Sequence, residues 1–280
     1  MPPPMTTPAI TSSIMLADGV PSASTSSPQM NSPHLEFKNL SVSYGPKVAL
    51  RQISIQVPKN TVLGIVGPAN SGKSTLLKTI NRTIDFISTA RVEGSVALAG
   101  EEVTTMKNVY ALRRRIGMVF PLPVGLPLTV YENVAFAPRR IGVHGKAELD
   151  EIVERCLRDS VLWYEVKDRL DMLGTKLSGG QQQRLTLARA LSLSPEILCL
   201  DEFSIAIDPV TTMKIEDVLM QLKEKMTIIL VTNLTQQARR MADHVAFLND
   251  SELVEWGENE AMFNRPKKEI TGRYLNGEFG

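Results

Sequence analysis

Gly67-Pro68-Ala69-Asn70-Ser71-Gly72-Lys73-Ser74 is a stretch whose residue types and spacing suit the holding of phosphate. Its glycines let the backbone curl so that successive N–H groups point at phosphate oxygens, and a helix N-terminus behind them adds positive potential. On this pattern Lys73 reaches the β- and γ-phosphates, the Ser74 hydroxyl ligates Mg²⁺, and Thr75 follows on the helix. A second group is Ile197-Leu198-Cys199-Leu200-Asp201-Glu202, an apolar strand ending in two carboxylates. Strand ends in a parallel sheet face the ligand crevice. There Asp201 would hold Mg²⁺, directly or through water, and Glu202 would polarise an attacking water as general base. Standing alone, the pair has an ordinary turn after a strand as its alternative reading, the lesser of the two; the upstream phosphate loop further favours the chemical one.

These groups need strands that end at one crevice and helices that start there. Apolar–polar alternation predicts strands over 35–42 and 51–57. A buried strand over 61–66 feeds the glycine turn and a helical stretch over 74–82. Strands follow over 91–98 and 116–120, then a largely helical stretch over 130–173. A helix over 182–192, a strand over 197–200, a helix over 210–225 and a strand over 226–231 complete the pattern. Strands alternating with helices imply an α/β chain whose parallel sheet is covered on both faces. The helical middle reads as an inserted subdomain.

Composition narrows the class. The chain of 280 residues carries 31 basic and 30 acidic side chains, a formal charge of +1, and this balance argues against a nucleic-acid partner. The one dense basic run, Arg113-Arg114-Arg115, reads as a solvated helix end. Two cysteines, Cys156 and Cys199, cannot build a disulfide framework, which points to a reducing compartment. Residues 116–131 are uncharged but broken by Pro121, Pro123 and Pro127, so they form a loop and not a membrane span. Residues 1–34 are rich in Pro, Ser and Thr, with Asp18 their only acid, and read as a disordered tail without a secretory signal. A misassigned start codon would look the same.

Leu177-Ser178-Gly179-Gly180-Gln181-Gln182-Gln183-Arg184 matches the signature sequence of ATP-binding-cassette ATPases, and from about residue 35 onward the chain resembles that family. Ser178 and the amides of Gly179 and Gly180, at the start of a helix, form a second anion site. The resemblance implies that this site, with Gln181, completes the ATP site of a second copy in a head-to-tail homodimer. It implies a P-loop NTPase fold of the cassette type: a parallel sheet core, an antiparallel β subdomain and a helical subdomain. On it, residues 35–120 and 177–280 are the nucleotide-binding core and 121–176 the helical subdomain. It further implies ATP and Mg²⁺ as cofactors, adenine stacked on Tyr44, and two integral-membrane permease subunits, touched by the proline-rich run 121–127. An extracytoplasmic solute-binding protein would take part indirectly, and the chain would lie peripherally on the cytoplasmic face of the membrane. Taken alone, Tyr44 reads as a half-buried residue at a strand end.

Within the family, several stretches are similar to the phosphate-import subgroup. They are Asn81-Arg82 with Asp85, Ala90-Arg91-Val92-Glu93-Gly94, the triple Gln after Gly180, and Trp163 with Val166-Lys167-Asp168-Arg169-Leu170; the tail from Phe263 to Phe279-Gly280 joins them. Three positions depart from the family pattern. Pro121 stands where a Gln usually contacts Mg²⁺ and water, Asn233 where a His usually meets the γ-phosphate, and Ile205 replaces a hydroxyl that acts across the dimer. Asp208 is retained. The resemblance thus implies an ATPase with an altered coupling loop, or alternatively a slowly hydrolysing regulatory subunit or an importer ATPase for another solute.

Overall fold

The computed structural model describes residues 32–279. Among them the strands are β1 (Leu35–Tyr44), β2 (Lys47–Val57), β3 (Val62–Val66), β4 (Ala90–Leu98), β5 (Glu101–Glu102), β6 (Ile116–Val119), β7 (Ile197–Asp201), β8 (Thr227–Val231), β9 (His244–Asn249) and β10 (Glu252–Glu258). They are ordered β5-β4-β1-β2-β10-β9-β3-β8-β7-β6. From β9 to β6 every pairing is parallel. The β1, β2, β4 and β5 ladders are antiparallel, and β2 meets β10 through the single pair Arg51 and Glu252.

Strand periodicity divides the parallel strands between two cores. In β7, Leu198 and Leu200 enter one core while Ile197 and Cys199 enter the other; in β8, Ile228 and Leu230 part likewise from Ile229 and Val231. Burial on both faces is why these strands read as continuous apolar runs. Helix α1 (Lys73–Ile80) lies in the second core, where Leu76, Leu77 and Ile80 pack with Phe37, Leu50, Ile55 and Val96 of the antiparallel layer. The phosphate loop is therefore anchored between the parallel and antiparallel parts of the sheet.

The short helix α2 (Val109–Arg115) is capped by Asn108, which accepts from the Ala111 amide. Its basic end is not simply solvated. Arg113 donates to the carbonyls of Asn81 and Arg82, and Arg115 forks onto Glu196 and reaches Glu101, so two of the three arginines tie this helix to its neighbours.

The first core is built by α3 (Val130–Arg140), α4 (Lys146–Asp159), α5 (Trp163–Val166), α6 (Gly179–Leu191), α7 (Pro209–Leu222) and α8 (Thr235–Met241), with Val134, Leu149, Leu187, Ile215 and Ala238 among its members. Capping fixes where several of these helices begin. Thr129 accepts from the Glu132 amide, Asp208 from the Thr211 amide with Pro209 in the first turn, and Ser178 forms a reciprocal capping box with Gln181.

Beyond residue 231 the sequence predicts no elements, yet the chain adds α8, β9, β10, α9 (Asn259–Asn264) and α10 (Glu269–Leu275). Helices of six or seven residues are too short to display a 3.6-residue period. The predicted tail falls outside the described residues except for its last three. Of these, His34 does not belong to a tail: it is buried, and its Nδ1 lies 2.7 Å from Thr227 Oγ1. Burial holds this imidazole below its ordinary pKa, the nearby Glu196 opposing. No helix among the described residues is long and apolar enough to cross a membrane.

Candidate nucleotide site

Two glycines shape the loop between β3 and α1. Gly67 has φ +152°, and a Cβ there would lie 2.0 Å from the Leu248 carbonyl oxygen. Gly72, the N-cap of α1, has φ +105°, and its Cβ would lie 2.4 Å from the Ala49 carbonyl oxygen. Only glycine lets the backbone pass so close to β9 and β2 while leaving its other side open as a cradle. Lys73 is almost fully buried, and its ammonium donates to the Gly67 and Pro68 carbonyls at 2.7 and 2.9 Å. Ser74 Oγ lies 3.1 Å from Asp201 Oδ1, so the loop and the end of β7 meet. Tyr44 reaches the same place through a 3.2 Å bond from its hydroxyl to Thr75 Oγ1. Tyr44, Asn70, Lys73, Ser74, Thr75 and Glu202 line one cleft of about 300 Å³.

The electrostatics are those of a site short of countercharge. Burial raises the Asp201 carboxyl above its ordinary pKa; Glu202 adds to this, while Ser74, Lys78 and Lys73 oppose it. Burial likewise lowers Lys73, with Glu202 and Asp201 pulling it back up. A hydroxyl beside a desolvated carboxylate is a hard oxygen pair of the kind Mg²⁺ takes together with phosphate oxygens. The residues present therefore fit Mg²⁺ and a phosphate chain.

Glu202 has φ +47°, a conformation that costs a non-glycine residue energy and that clusters at functional sites. Its amide donates to the Val231 carbonyl at 2.9 Å, and its Oε1 accepts from Asn233 Nδ2 at 2.6 Å. Asn233 thus grips the carboxylate of the predicted base. Replacing Asn233 with Ala is expected to lower ATP turnover about 10-fold, the lower range for a hydrogen bond to a charged group. Steady-state kinetics at saturating ATP check this, and unchanged turnover would remove Asn233 from the site.

The Ser178 turn lies apart from that cleft, whose lining includes none of residues 178–181. A Cβ on Gly179 would meet open space, so its face of the turn is free, whereas one on Gly180 would lie 2.9 Å from the Ala206 carbonyl oxygen. Gln181, predicted to contact nucleotide, uses both ends of its amide inside the chain. Oε1 accepts from the Ser178 amide at 3.1 Å, and Nε2 donates to Glu165 at 2.8 Å. Its place in the structure is that of a brace. Asp208 caps α7, and Ile205 is 65% exposed on the loop before it. At Pro121, the preceding Phe120 carbonyl accepts from Gln183 Nε2 of α6 at 2.8 Å.

Three contributors were not among the predicted site residues, one of them Ala49 of β2 in the cleft lining. Lys47 lines the cleft from the start of β2. Tyr274 of α10 accepts the Gly67 amide at 3.1 Å and stacks on Phe247 with centroids 4.7 Å apart. Lys47 sits in no local pattern that could announce it, and Tyr274 belongs to the tail similar to the phosphate-import subgroup, a likeness that gave it no place in the site.

A model of the ABC transporter family matches residues 50–204, from β2 past both carboxylates. The chain belongs to the ABC transporter family. It is 44% identical over 249 residues to the phosphate import ATP-binding protein PstB of Thermotoga maritima, covering 89% of this chain and 99% of that one. With the protein of the same name from Shewanella denitrificans it shares 44% over 247 residues, covering 88% and 91%. Among solved structures it is similar to the dimeric post-hydrolysis state of the ATP-binding cassette MJ0796 bound to ADP and Pi, with a TM-score of 0.70 and 28% identity. That likeness covers 80% of this chain and 98% of the other. The α/β fold with a parallel core is that of this family.

Proposed function

We propose that the chain binds and hydrolyses ATP to drive an importer of inorganic phosphate, working as a homodimer on separate permease subunits at the cytoplasmic face of the membrane. The convergence of Lys73, Ser74, Asp201 and Glu202 on one cleft carries the hydrolytic part of this reading. Lys73 and the loop amides bind and orient the phosphates, and Tyr44 offers a ring for the adenine. Glu202 takes the proton of the attacking water while that water's oxygen bonds to the γ-phosphorus and the ADP oxygen leaves. Mg²⁺, held by Ser74 and Asp201, would supply positive charge against the developing negative charge. The solute rests on likeness: the relatives named as phosphate importers match along nearly their whole length. The dimeric cassette among the similar structures supports two copies acting together.

Coupling to a permease has a physical candidate in the loop over residues 120–127. Leu122 is 75% and Val124 54% exposed, and exposed apolar surface marks contact sites. This loop is fastened to α6, the helix that opens with the Ser178 turn. Gln183 holds the Phe120 carbonyl, Gln182 accepts the Gly125 amide, and Arg189 donates to the Val124 carbonyl. Pushing on the loop therefore moves the signature helix. A second reading, slow hydrolysis in a regulatory subunit, is favoured by Pro121, which carries no side-chain amide.

The test is ATP-driven uptake of labelled phosphate into vesicles holding the chain and its membrane partners. Leu122→Asp combined with Val124→Asp is expected to abolish uptake and partner-stimulated turnover while leaving the basal ATPase of the free chain unchanged. Uptake of another solute in place of phosphate would overturn the assignment of cargo, and turnover insensitive to the partners would favour the regulatory reading.

A further inference from the structure

The turn formed by residues 178–181 carries no charge of its own, and its shape depends on a residue thirteen positions before Ser178. Glu165, on α5, accepts from Gln181 Nε2 at 2.8 Å through Oε2. The same carboxylate takes a forked pair from Arg184, Nη1 to Oε1 at 2.6 Å and Nη2 to Oε2 at 3.1 Å. Arg184 also donates to the Val161 carbonyl at 2.7 Å, and its side chain is only 8% exposed. Gln181 in turn closes the capping box on Ser178. One carboxylate therefore fixes two side chains of α6, and through Gln181 it sets the position of the Ser178 amide and hydroxyl.

We infer that Glu165 is the positioning residue of the signature turn, holding Ser178 and the Gly179 and Gly180 amides in the shape that receives the phosphates of ATP bound to a second copy of the chain. This rests on the two-copy reading above. The geometry gives Glu165 two tasks that an ordinary ion pair would not combine. It anchors Arg184, whose Nε donates to the Gly180 carbonyl at 3.4 Å, so the fixed guanidinium also holds the backbone of the turn. It also leaves the Gln181 oxygen turned toward Ser178 by occupying the nitrogen. An amide in place of the carboxylate offers only one oxygen, so its NH₂ would face either Arg184 or the Gln181 nitrogen, donor against donor. Bidentate Arg–carboxylate geometry is among the more specific side-chain contacts, which is why loss of one oxygen matters here. The forked Arg184 bonds are also what holds the Glu165 carboxyl below its usual pKa.

The test uses the full chain with Glu202→Gln, which slows hydrolysis, and measures ATP-dependent dimerisation by sedimentation alongside the affinity of the monomer for a fluorescent ATP analogue. Adding Glu165→Gln is expected to weaken ATP-dependent dimerisation about 10-fold or more, the loss of hydrogen bonds to a charged group, while monomer affinity stays unchanged. Glu165→Asp, which keeps both oxygens, is expected to recover part of the loss. Dimerisation equal to that of Glu202→Gln alone would overturn the inference. A parallel fall in monomer affinity would also overturn it, by making Glu165 a general support of the fold. Should Glu202→Gln itself remain monomeric with ATP, the two-copy reading falls and takes the inference with it.

Discussion

Glu202→Gln is expected to yield a folded protein that binds ATP and turns it over about 10²–10⁴-fold more slowly, the span for loss of a general base. The substitution preserves shape and keeps an oxygen for Asn233 Nδ2, which now holds Glu202 Oε1 at 2.6 Å. It removes only the ability to take a proton. The backbone at φ +47° points to the same role, because a left-handed glutamate just after a buried strand is maintained against a conformational cost. Removing a negative charge from the cleft also eases the approach of phosphates, so ATP affinity is expected to hold or rise. Turnover measured with equilibrium binding on the same sample separates the two effects. Hydrolysis by the Gln variant at the wild-type rate would exclude Glu202 as the base, and so would an equal loss of rate and binding.

The residues that bear chemistry are legible in the sequence because each group is contiguous. Residues 67–75 and the pair Asp201-Glu202 need no distant partner to be noticed; Asn70, Gly72, Lys73, Ser74, Thr75 and Glu202 line one cleft, and Asp201 is joined to it through the Ser74 hydroxyl. What positions them is another matter. Tyr274 is 207 residues from the Gly67 amide it accepts, and Gln183 is 63 from the carbonyl it holds. Such contacts arise from strand order, and period-two patterning cannot reveal which strand lies beside which. The alternation over 35–42 announces a strand but not its antiparallel place beside β2 and β4. Gln181 illustrates the same limit at short range. The signature implies a nucleotide contact for it, and its bonds to Ser178 and Glu165, which the signature does not announce, give it a bracing role within the chain. His34 is the converse, a polar residue at the end of a Pro/Ser/Thr-rich stretch that is nonetheless buried against β8.

Lys73→Met is expected to abolish the stabilisation that ATP confers without weakening the protein that lacks it. In the wild-type chain, ligand at a hundred times its dissociation constant adds about 2.7 kcal/mol, which for a domain of this size raises Tm by roughly 5–10 °C. The Met variant, without the Lys73 ammonium to hold the phosphates, is expected to show no such shift. Its stability without nucleotide follows from the opposite consideration. Lys73 is a desolvated cation, and burial holds its pKa below the ordinary lysine value in the folded state. The folded chain therefore binds fewer protons at this site than the unfolded chain, and the charge opposes folding at neutral pH. That penalty fades as pH rises from the folded-state pKa toward 10.5, the ordinary lysine value. Methionine removes the buried charge and leaves the Gly67 and Pro68 carbonyls without their donor, two effects of opposite sign. Relative to the Met variant, the wild-type chain should accordingly gain stability on moving from neutral toward alkaline pH. Thermal unfolding of both proteins, with and without Mg-ATP at pH 7 and 9.5, measures each part. A Met variant stabilised by Mg-ATP as strongly as wild type would overturn the place of Lys73 in the site. A gap that widens in favour of the variant toward alkaline pH would contradict the lowered pKa of its ammonium.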